Sequence, residues 1–385
     1  MVAAAAIHSP HPSDLTTLQE ARSTTYLQSR LGSKTSVPDS NFIIPVIDIS
    51  PSFSSSLSAR QSVAAKIRTA CTTSGFFYIT HHGVSEKARA GILDQAERFV
   101  KLLPQCKKEE LHIRLSKLGY GWEPGNYTSL AGDLETKEAF NFGYEQGLDV
   151  TGGDGMYRNL DGSVGCGNVW PKEEDLPGFY EGVREYYGQV LQLARHLFRL
   201  FALSLDLPEH HFDHMTTHPG GICRLLYYPP CKHFPSSKRA EGEGEEIGLG
   251  AHTDYECFTL LHSSSTPGLE ILTPSNSWHR ATPLPSSFIV NVADFLMRWT
   301  NGVYKSTIHR VVNRTDEERY SVPFFFSVNY DEVVETLPTC LNDGEKSSYP
   351  PIRAGEYILE RLNTTTKDGN GYFGNEGFFG EERRE

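Results

Sequence analysis

Gly248-Leu-Gly-Ala-His252-Thr-Asp254-Tyr-Glu-Cys-Phe-Thr-Leu-Leu261 carries the chemistry of this chain and decides its fold. Glycines bracket its start, an H-x-D triplet occupies its centre, and an apolar run closes it. On a strand, residues i and i+2 project from the same face, so His252 and Asp254 are expected to aim an imidazole and a carboxylate at one point. The chain holds a second such triplet, His211-Phe-Asp213, within DLPEHHFDHM. That stretch follows a long helical pattern and lacks strand alternation, so it reads as a solvated or capping segment.

A metal held by the first triplet needs a third ligand. His309 follows Asp254 by 55 residues, inside the β-branched run Tyr304-Lys-Ser-Thr-Ile-His-Arg-Val-Val312, which can return to the same sheet. Two His and one carboxylate on one face of an octahedral ion leave three positions open for cosubstrate and oxygen, the arrangement associated with non-haem Fe(II) oxygenases. Taken alone, His309 reads as a core or surface histidine. Arg319-Tyr-Ser321 lies ten residues further on, before the apolar run Val322 to Val328, and strand alternation would let its guanidinium and hydroxyl bind one carboxylate. Arg114-Leu-Ser116 repeats the pattern, so the weight rests on the position after His309. No G-x-S-x-G elbow and no G-x-x-x-x-G-K-[ST] phosphate loop occurs.

The flanking sequence is consistent with a barrel propped by helices. Short runs from Gly221 to Tyr330, separated by Gly, Pro, Ser and Asn, have the grammar of an antiparallel sandwich or barrel. Before them, a helical stripe from Tyr180 to Phe201 ends near Leu207-Pro208, and shorter helices are expected over 58–72 and from Ser85 to about Leu103. We expect a mobile arm over 1–40, a mainly helical region with short strands over 41–210, a β core over 211–365 containing an exposed charged loop at 236–246, and a loose tail over 366–385. The aromatic-rich stretch with Tyr120, Trp122, Tyr127, Phe140, Phe142 and Tyr144 is consistent with either a pocket roof or ordinary core.

Composition narrows the class. The 385 residues are 38% hydrophobic with a net charge of −12, enough apolar material for a core and no basic footprint for nucleic acid or anionic membrane. Seven scattered cysteines without a C-x-x-C pair suggest neither a disulfide framework nor a thiolate zinc site, which fits a reducing, cytoplasmic setting. The start resembles no signal peptide, and no run approaches the roughly 20 apolar residues of a membrane span.

The ordered set IPVIDIS (44–50), GFFYITHHGV (75–84), Asn168-Val-Trp-Pro171, RLLYYPPC (224–231), GLGAHTDYECFTLL, GLEIL (268–272), NGVYKSTIHRVV (301–312) and RYSVPFFFSVN (319–329) resembles the Fe(II)/2-oxoglutarate-dependent dioxygenase superfamily, in its isopenicillin N synthase-like branch. The resemblance spans residues 43–362. It implies an α+β chain with a mainly β core, a double-stranded β-helix or jelly roll buttressed by helices. Fe(II) would be held by His252, Asp254 and His309. Arg319 and Ser321 would bind the distal carboxylate of the cosubstrate 2-oxoglutarate, with a hydrogen bond from Tyr228. Leu226 stands where many relatives carry Asn, so one polar contact to the cosubstrate would be absent or supplied elsewhere. The implied reaction consumes O2, converts 2-oxoglutarate to succinate and carbon dioxide, and hydroxylates, desaturates, cyclises or rearranges a small, mostly apolar substrate of specialised metabolism. No protein general base and no obligate protein partner is implied. Two alternatives stay open: an iron oxidase on the same scaffold that takes no 2-oxoglutarate, and a jelly roll that binds a small molecule without catalysis. A broken triad would point to the latter, and this triad is complete.

Overall fold

The computed structural model describes residues 42–363 except 117, 128, 131, 132, 166 and 232–245. The expected arm over 1–40, the tail over 366–385 and nearly all of the charged loop at 236–246 lie outside the described residues. The chain opens with β1 (Val46–Asp48), α1 (Leu57–Thr73), β2 (Phe76–Thr80) and α2 (Glu86–Leu102). Both helices start where a serine caps them, Ser56 accepting from Ala59 N and Ser85 from Ala88 N, as Ser caps satisfy first-turn amides. Gly75 turns the chain from α1 into β2 at φ +71°, and a Cβ there would stand 1.9 Å from Lys305 O, so only glycine fits.

Next come β3 (Gly121–Glu123), β4 (Glu138–Gly143) and the long α3 (Phe179–Ser204). The second half supplies β5 (Ile222–Tyr228), β6 (Glu246–His252), β7 (Phe258–Ser263), β8 (Leu269–Leu272), β9 (Trp278–Arg280), β10 (Ser287–Val292), α4 (Asp294–Trp299), β11 (His309–Asn313), β12 (Arg319–Phe326) and α5 (Ala354–Asn363). The strands form a large sheet in the order β1-β2-β10-β7-β12-β5-β4-β3 and a small one in the order β9-β8-β11-β6. Pairing is antiparallel except between β1 and β2. These two sheets are the halves of a jelly roll. Strands β1 to β4, from before residue 211, extend the same large sheet on both sides.

Helix α3 covers the outer face of the large sheet. Its stripe of Val183, Tyr187, Val190, Leu191, Ala194, Leu197, Phe198 and Phe201 is buried. Ring centroids of Tyr187 and Phe324 lie 5.1 Å apart, Phe198 and Phe326 5.7 Å, and Phe201 and Phe258 5.0 Å. Burying each such side chain contributes about 1.5–3 kcal/mol. Strand alternation turns Phe325 the other way, into the cavity between the sheets. The second H-x-D is structural: Asp213 pairs with Arg199 at 2.8 Å and His210 at 2.8 Å, and Phe212 stacks on Phe198 at 4.4 Å. Of the two readings of the aromatic stretch, the structure supports core. Phe140 and Phe142 are fully buried against Phe99, Trp170 and Phe179, on the face of β4 opposite the cavity.

Beneath α2, His82 and His262 sit against the ring of Phe288, at 4.7 and 5.6 Å between centroids. Burial, reinforced by the Arg89 guanidinium, pushes both imidazoles down to about 4 from an ordinary value near 6.5. As pH falls from 6.5 toward 4, the unfolded chain takes up these protons and the folded chain does not. The stability they contribute is therefore full above pH 6.5 and lost by about pH 4. Thermal denaturation across this range is expected to show a falling Tm, and a shallower fall in His262→Gln.

Candidate active site

His252 ends β6, and His309 opens β11 directly opposite it in register. The two rings approach to 4.3 Å between centroids. His252 Nε2 lies 3.4 Å and His309 Nε2 3.5 Å from Asp254 Oδ1. Metal–ligand bonds of about 2.0–2.2 Å place neighbouring donors on an octahedral face about 3 Å apart, close to this spacing. The other ring nitrogens face carbonyls: His252 Nδ1 is 2.8 Å from Gly250 O, and His309 Nδ1 is 3.1 Å from Thr307 O. A carbonyl only accepts, so each Nδ1 carries the proton and each Nε2 keeps its lone pair for an ion. Two neutral imidazoles and a carboxylate form a donor set that suits Fe(II).

The route by which the triplet converges differs from the expected one. Asp254 lies beyond the end of β6, so strand alternation does not aim it. A bulge between the pairs His309↔His252 and Val311↔Leu249 also breaks simple alternation within β6, letting His252 and Leu249 both line the cavity. Asp254 is instead held by tertiary contacts. Its Oδ2 accepts from Thr259 Oγ1 at 2.5 Å on β7 and from Asn291 Nδ2 at 2.7 Å on β10, leaving Oδ1 for the imidazoles. Asp294 N donates to Asp254 O at 2.9 Å, and the Asp294 carboxylate accepts from Thr253 Oγ1 at 2.9 Å. Burial alone would raise the Asp254 carboxyl, but without an ion the charge and hydrogen bonds of His309 and His252 in their protonated forms hold it well below the usual carboxylate range, a place that a bound cation would take over. Thr259, Asn291 and Asp294 escaped the sequence reading because no local spacing links them to the triplet.

One end of the cavity is built for a carboxylate. Arg319 is 2% exposed and its Nη1 donates to Ser321 Oγ at 3.1 Å, confirming the shared face expected of that pair. Its Nε is buried without a partner. Tyr228 is Arg319's register partner on β5, with the guanidinium carbon 4.9 Å from its ring centroid. Two glycines make room: a Cβ at Gly268 would stand 2.9 Å from Arg319 Cδ, and one at Gly248 2.5 Å from the Tyr228 ring. An orphaned donor on a buried cation beside a hydroxyl fits the distal carboxylate of 2-oxoglutarate. Leu226, paired in register with Ser321, puts an apolar wall beside this pair.

Further along β5, the cavity meets a charged network absent from the sequence reading. Arg224 donates to Asn141 Oδ1 at 2.7 Å and to Glu123 Oε2 at 2.8 Å, and Lys137 pairs with Glu123 and, at 3.3 Å, with Glu135. Burial would raise Glu123, yet Lys137 and Arg224 bring it down to about 2. Glu256, also in the cavity lining, is pushed up to about 7 by burial. Helix α5 adds Ile358 and Leu362 to the lining, and its Arg361 meets Asp294 at 3.2 Å and the Tyr255 ring at 4.6 Å, tying it to the loop that carries Asp254.

Removing the amide that orients Asp254 should loosen the metal site while sparing the fold. Asn291→Ala is expected to weaken Fe(II) binding about 10- to 100-fold, the usual effect of losing such a support, as measured by anaerobic competition with a chromogenic chelator.

Two family models match the chain: the 2OG-Fe(II) oxygenase superfamily over residues 219–328, and the N-terminal region of non-haem dioxygenases in morphine synthesis over 44–173. The 2-oxoglutarate-Fe(II) type oxidoreductase hxnY of Emericella nidulans is 35% identical over 319 residues, covering 82% of this chain and 88% of its own. Clavatol oxidase claD of Penicillium crustosum is 33% identical over 344 residues, 84% of this chain and 97% of its own. Among solved structures, a full-length Neurospora crassa protein in complex with alpha-KG and 5-formyluracil superposes with a TM-score of 0.71 at 27% identity, covering 86% of this chain and 100% of that one. With this jelly roll, this triad and these relatives, the chain belongs to the 2OG-Fe(II) oxygenase superfamily and is a 2-oxoglutarate-dependent, non-haem iron oxidoreductase.

Proposed function

We propose that this protein oxidises a small organic molecule of specialised metabolism, with Arg319, Ser321 and Tyr228 holding the distal carboxylate of 2-oxoglutarate beside iron bound by His252, Asp254 and His309. The observation that carries the assignment is the buried Arg319 guanidinium, paired with no carboxylate among the described residues, in the lining of the same cavity as the triad. Bound iron and 2-oxoglutarate supply an oxidation of substrate by O2 coupled to decarboxylation to succinate.

The chain's own part is placement. Arg319 and Ser321 would hold one carboxylate of the cosubstrate in the cavity whose lining they share with the triad. Leu226, Leu249, Leu261 and Val311 line the cavity, and excluding water here strengthens every polar contact inside. Phe325, Ile358 and Leu362 in the cavity lining offer apolar surface to a substrate skeleton. The thymine and 5-formyluracil held by the Neurospora crassa protein support a small and ring-bearing substrate. We assign the chemistry to residues 211–365 and the supporting role to 41–210.

Anaerobic titration of the apoprotein with Fe(II) and then 2-oxoglutarate is expected to produce a weak visible charge-transfer band. His309→Ala should abolish it. Arg319→Ala should weaken 2-oxoglutarate binding at least about thirtyfold, since losing one partner of a buried charged contact costs about 2 kcal/mol or more. A wild-type protein that binds iron without any band would refute the cosubstrate assignment. Gly268→Ala, which drives a methyl into Arg319, should raise the KM for 2-oxoglutarate in succinate-release assays while leaving iron affinity near wild type.

A further inference from the structure

Strand β6 carries more residues than its partner has places for. Its seven residues, Glu246–His252, run opposite the five of β11, His309–Asn313. Register shifts fall at two points, between the pairs His309↔His252 and Val311↔Leu249 and between Val311↔Leu249 and Val312↔Ile247. Each adds one residue more on β6 than on β11, as a bulge does. In the order β9-β8-β11-β6 this strand is also the outermost, so no strand of the small sheet holds its other side. A glycine-bearing edge strand with two bulges is weakly fixed in register, and a slip of one residue would turn His252 to the opposite face.

The segment just before β4 grips β6 at both irregular points. Thr136 N donates to Ile247 O at 3.2 Å. Gly250, skipped by the pairing with β11, donates its N–H to Glu135 Oε1 at 3.1 Å. Gly250 is buried and Glu135 is 1% exposed. A buried backbone N–H without an acceptor is costly, so the strand gives up this contact only at a loss. The second oxygen, Oε2, lies 3.3 Å from Lys137 Nζ, and Lys137 in turn pairs with Glu123. The carboxylate is thereby fixed in direction and its charge is answered inside the chain. Gly250 touches the metal site directly, because its carbonyl stands 2.8 Å from His252 Nδ1.

We propose that Glu135 is a positioning residue for the iron: by clamping Gly250 at the bulge it keeps β6 in register and holds His252 Nε2 toward the ion. The inference rests on the assignment of His252, Asp254 and His309 as the iron ligands. Lys137 aims the clamp, which gives this part of the charged network a task at the metal. His309 lies on β11, which is paired with β8 on one side and β6 on the other. Losing Glu135 therefore acts on one imidazole of the two.

The test uses the full chain with Fe(II) and, for spectroscopy, with Co(II) as a paramagnetic probe of the same site. Glu135→Ala should weaken Fe(II) binding at least about tenfold in anaerobic competition with a chromogenic chelator, the usual scale for losing a support behind a ligand. Glu135→Gln keeps an acceptor for Gly250 N–H and gives up the charge, so it should lower Tm yet hold Fe(II) affinity within about threefold of wild type. Glu135→Asp keeps the charge beside Lys137 but falls one methylene short of Gly250; it should lose affinity as Glu135→Ala does, and it carries the test if the alanine variant does not fold. In proton NMR of the Co(II) protein, the exchangeable Nδ1–H signals of the two ligating imidazoles should part company in Glu135→Ala or Glu135→Asp: one shifts or exchanges faster, and the other stays. A carboxylate that serves only the stability of the wall would lower Tm and leave Fe(II) affinity and both signals unchanged, and that result overturns the proposal. Equal loss of affinity in Glu135→Gln and Glu135→Ala, or displacement of both signals together, overturns it as well. Wild type that binds no Fe(II) overturns the iron reading itself, and this inference falls with it.

Discussion

One carboxylate has to face two ways in this protein, and the architecture around the site follows from that requirement. Asp254 turns Oδ1 to the two imidazoles while Thr259 and Asn291 hold Oδ2. An unsupported aspartate in a loop would rotate about its side-chain torsions, and each rotamer would present a different oxygen to the ion. The two supports come from neighbouring strands of the large sheet, while His252 and His309 come from paired strands of the small one. The metal site therefore forms only when both sheets are assembled face to face. Helix α3, packed over the outside of the large sheet, holds β7 and β12 in place through Phe258, Phe324 and Phe326.

The cavity between the sheets is polarised along its length. Arg319 and Ser321 occupy one end, Leu226 and its apolar neighbours follow, and the network of Arg224, Asn141, Lys137, Glu123 and Glu135 lies further along β5 and β4. Successive inward residues of β5, namely Tyr228, Leu226 and Arg224, step along this gradient, each two residues or about 6.6 Å from the next. The apolar middle separates the cosubstrate's anchor from the charged wall, so neither cation can easily take the other's ligand. At low effective dielectric, misplacing a single charge here would cost far more than at the surface.

Most of the ligand set was legible because metal ligation restricts residue type: an H-x-D before an apolar run, a later His on a strand, and an R-x-S beyond it. Even there the reasoning was partly at odds with the structure. Alternation correctly paired Arg319 with Ser321, but it did not place Asp254, which lies past its strand and is aimed by contacts from residues 259 and 291. The aromatic stretch from Tyr120 to Tyr144 could not be apportioned from composition, since core and pocket draw on the same residues. Its pattern became readable only when β4 turned Phe140 and Phe142 toward α2 and α3, and Asn141 toward the cavity.

By itself, the sequence determined the strands and helices, whose periodicities are local, and the identity of the metal ligands, whose chemistry admits few residue types. Tertiary structure alone decided which oxygen of Asp254 faces the ion and which glutamates find cations. Those outcomes depend on distances between residues from five to more than a hundred positions apart, and such distances exist only once the two sheets close over a cavity from which water is largely excluded.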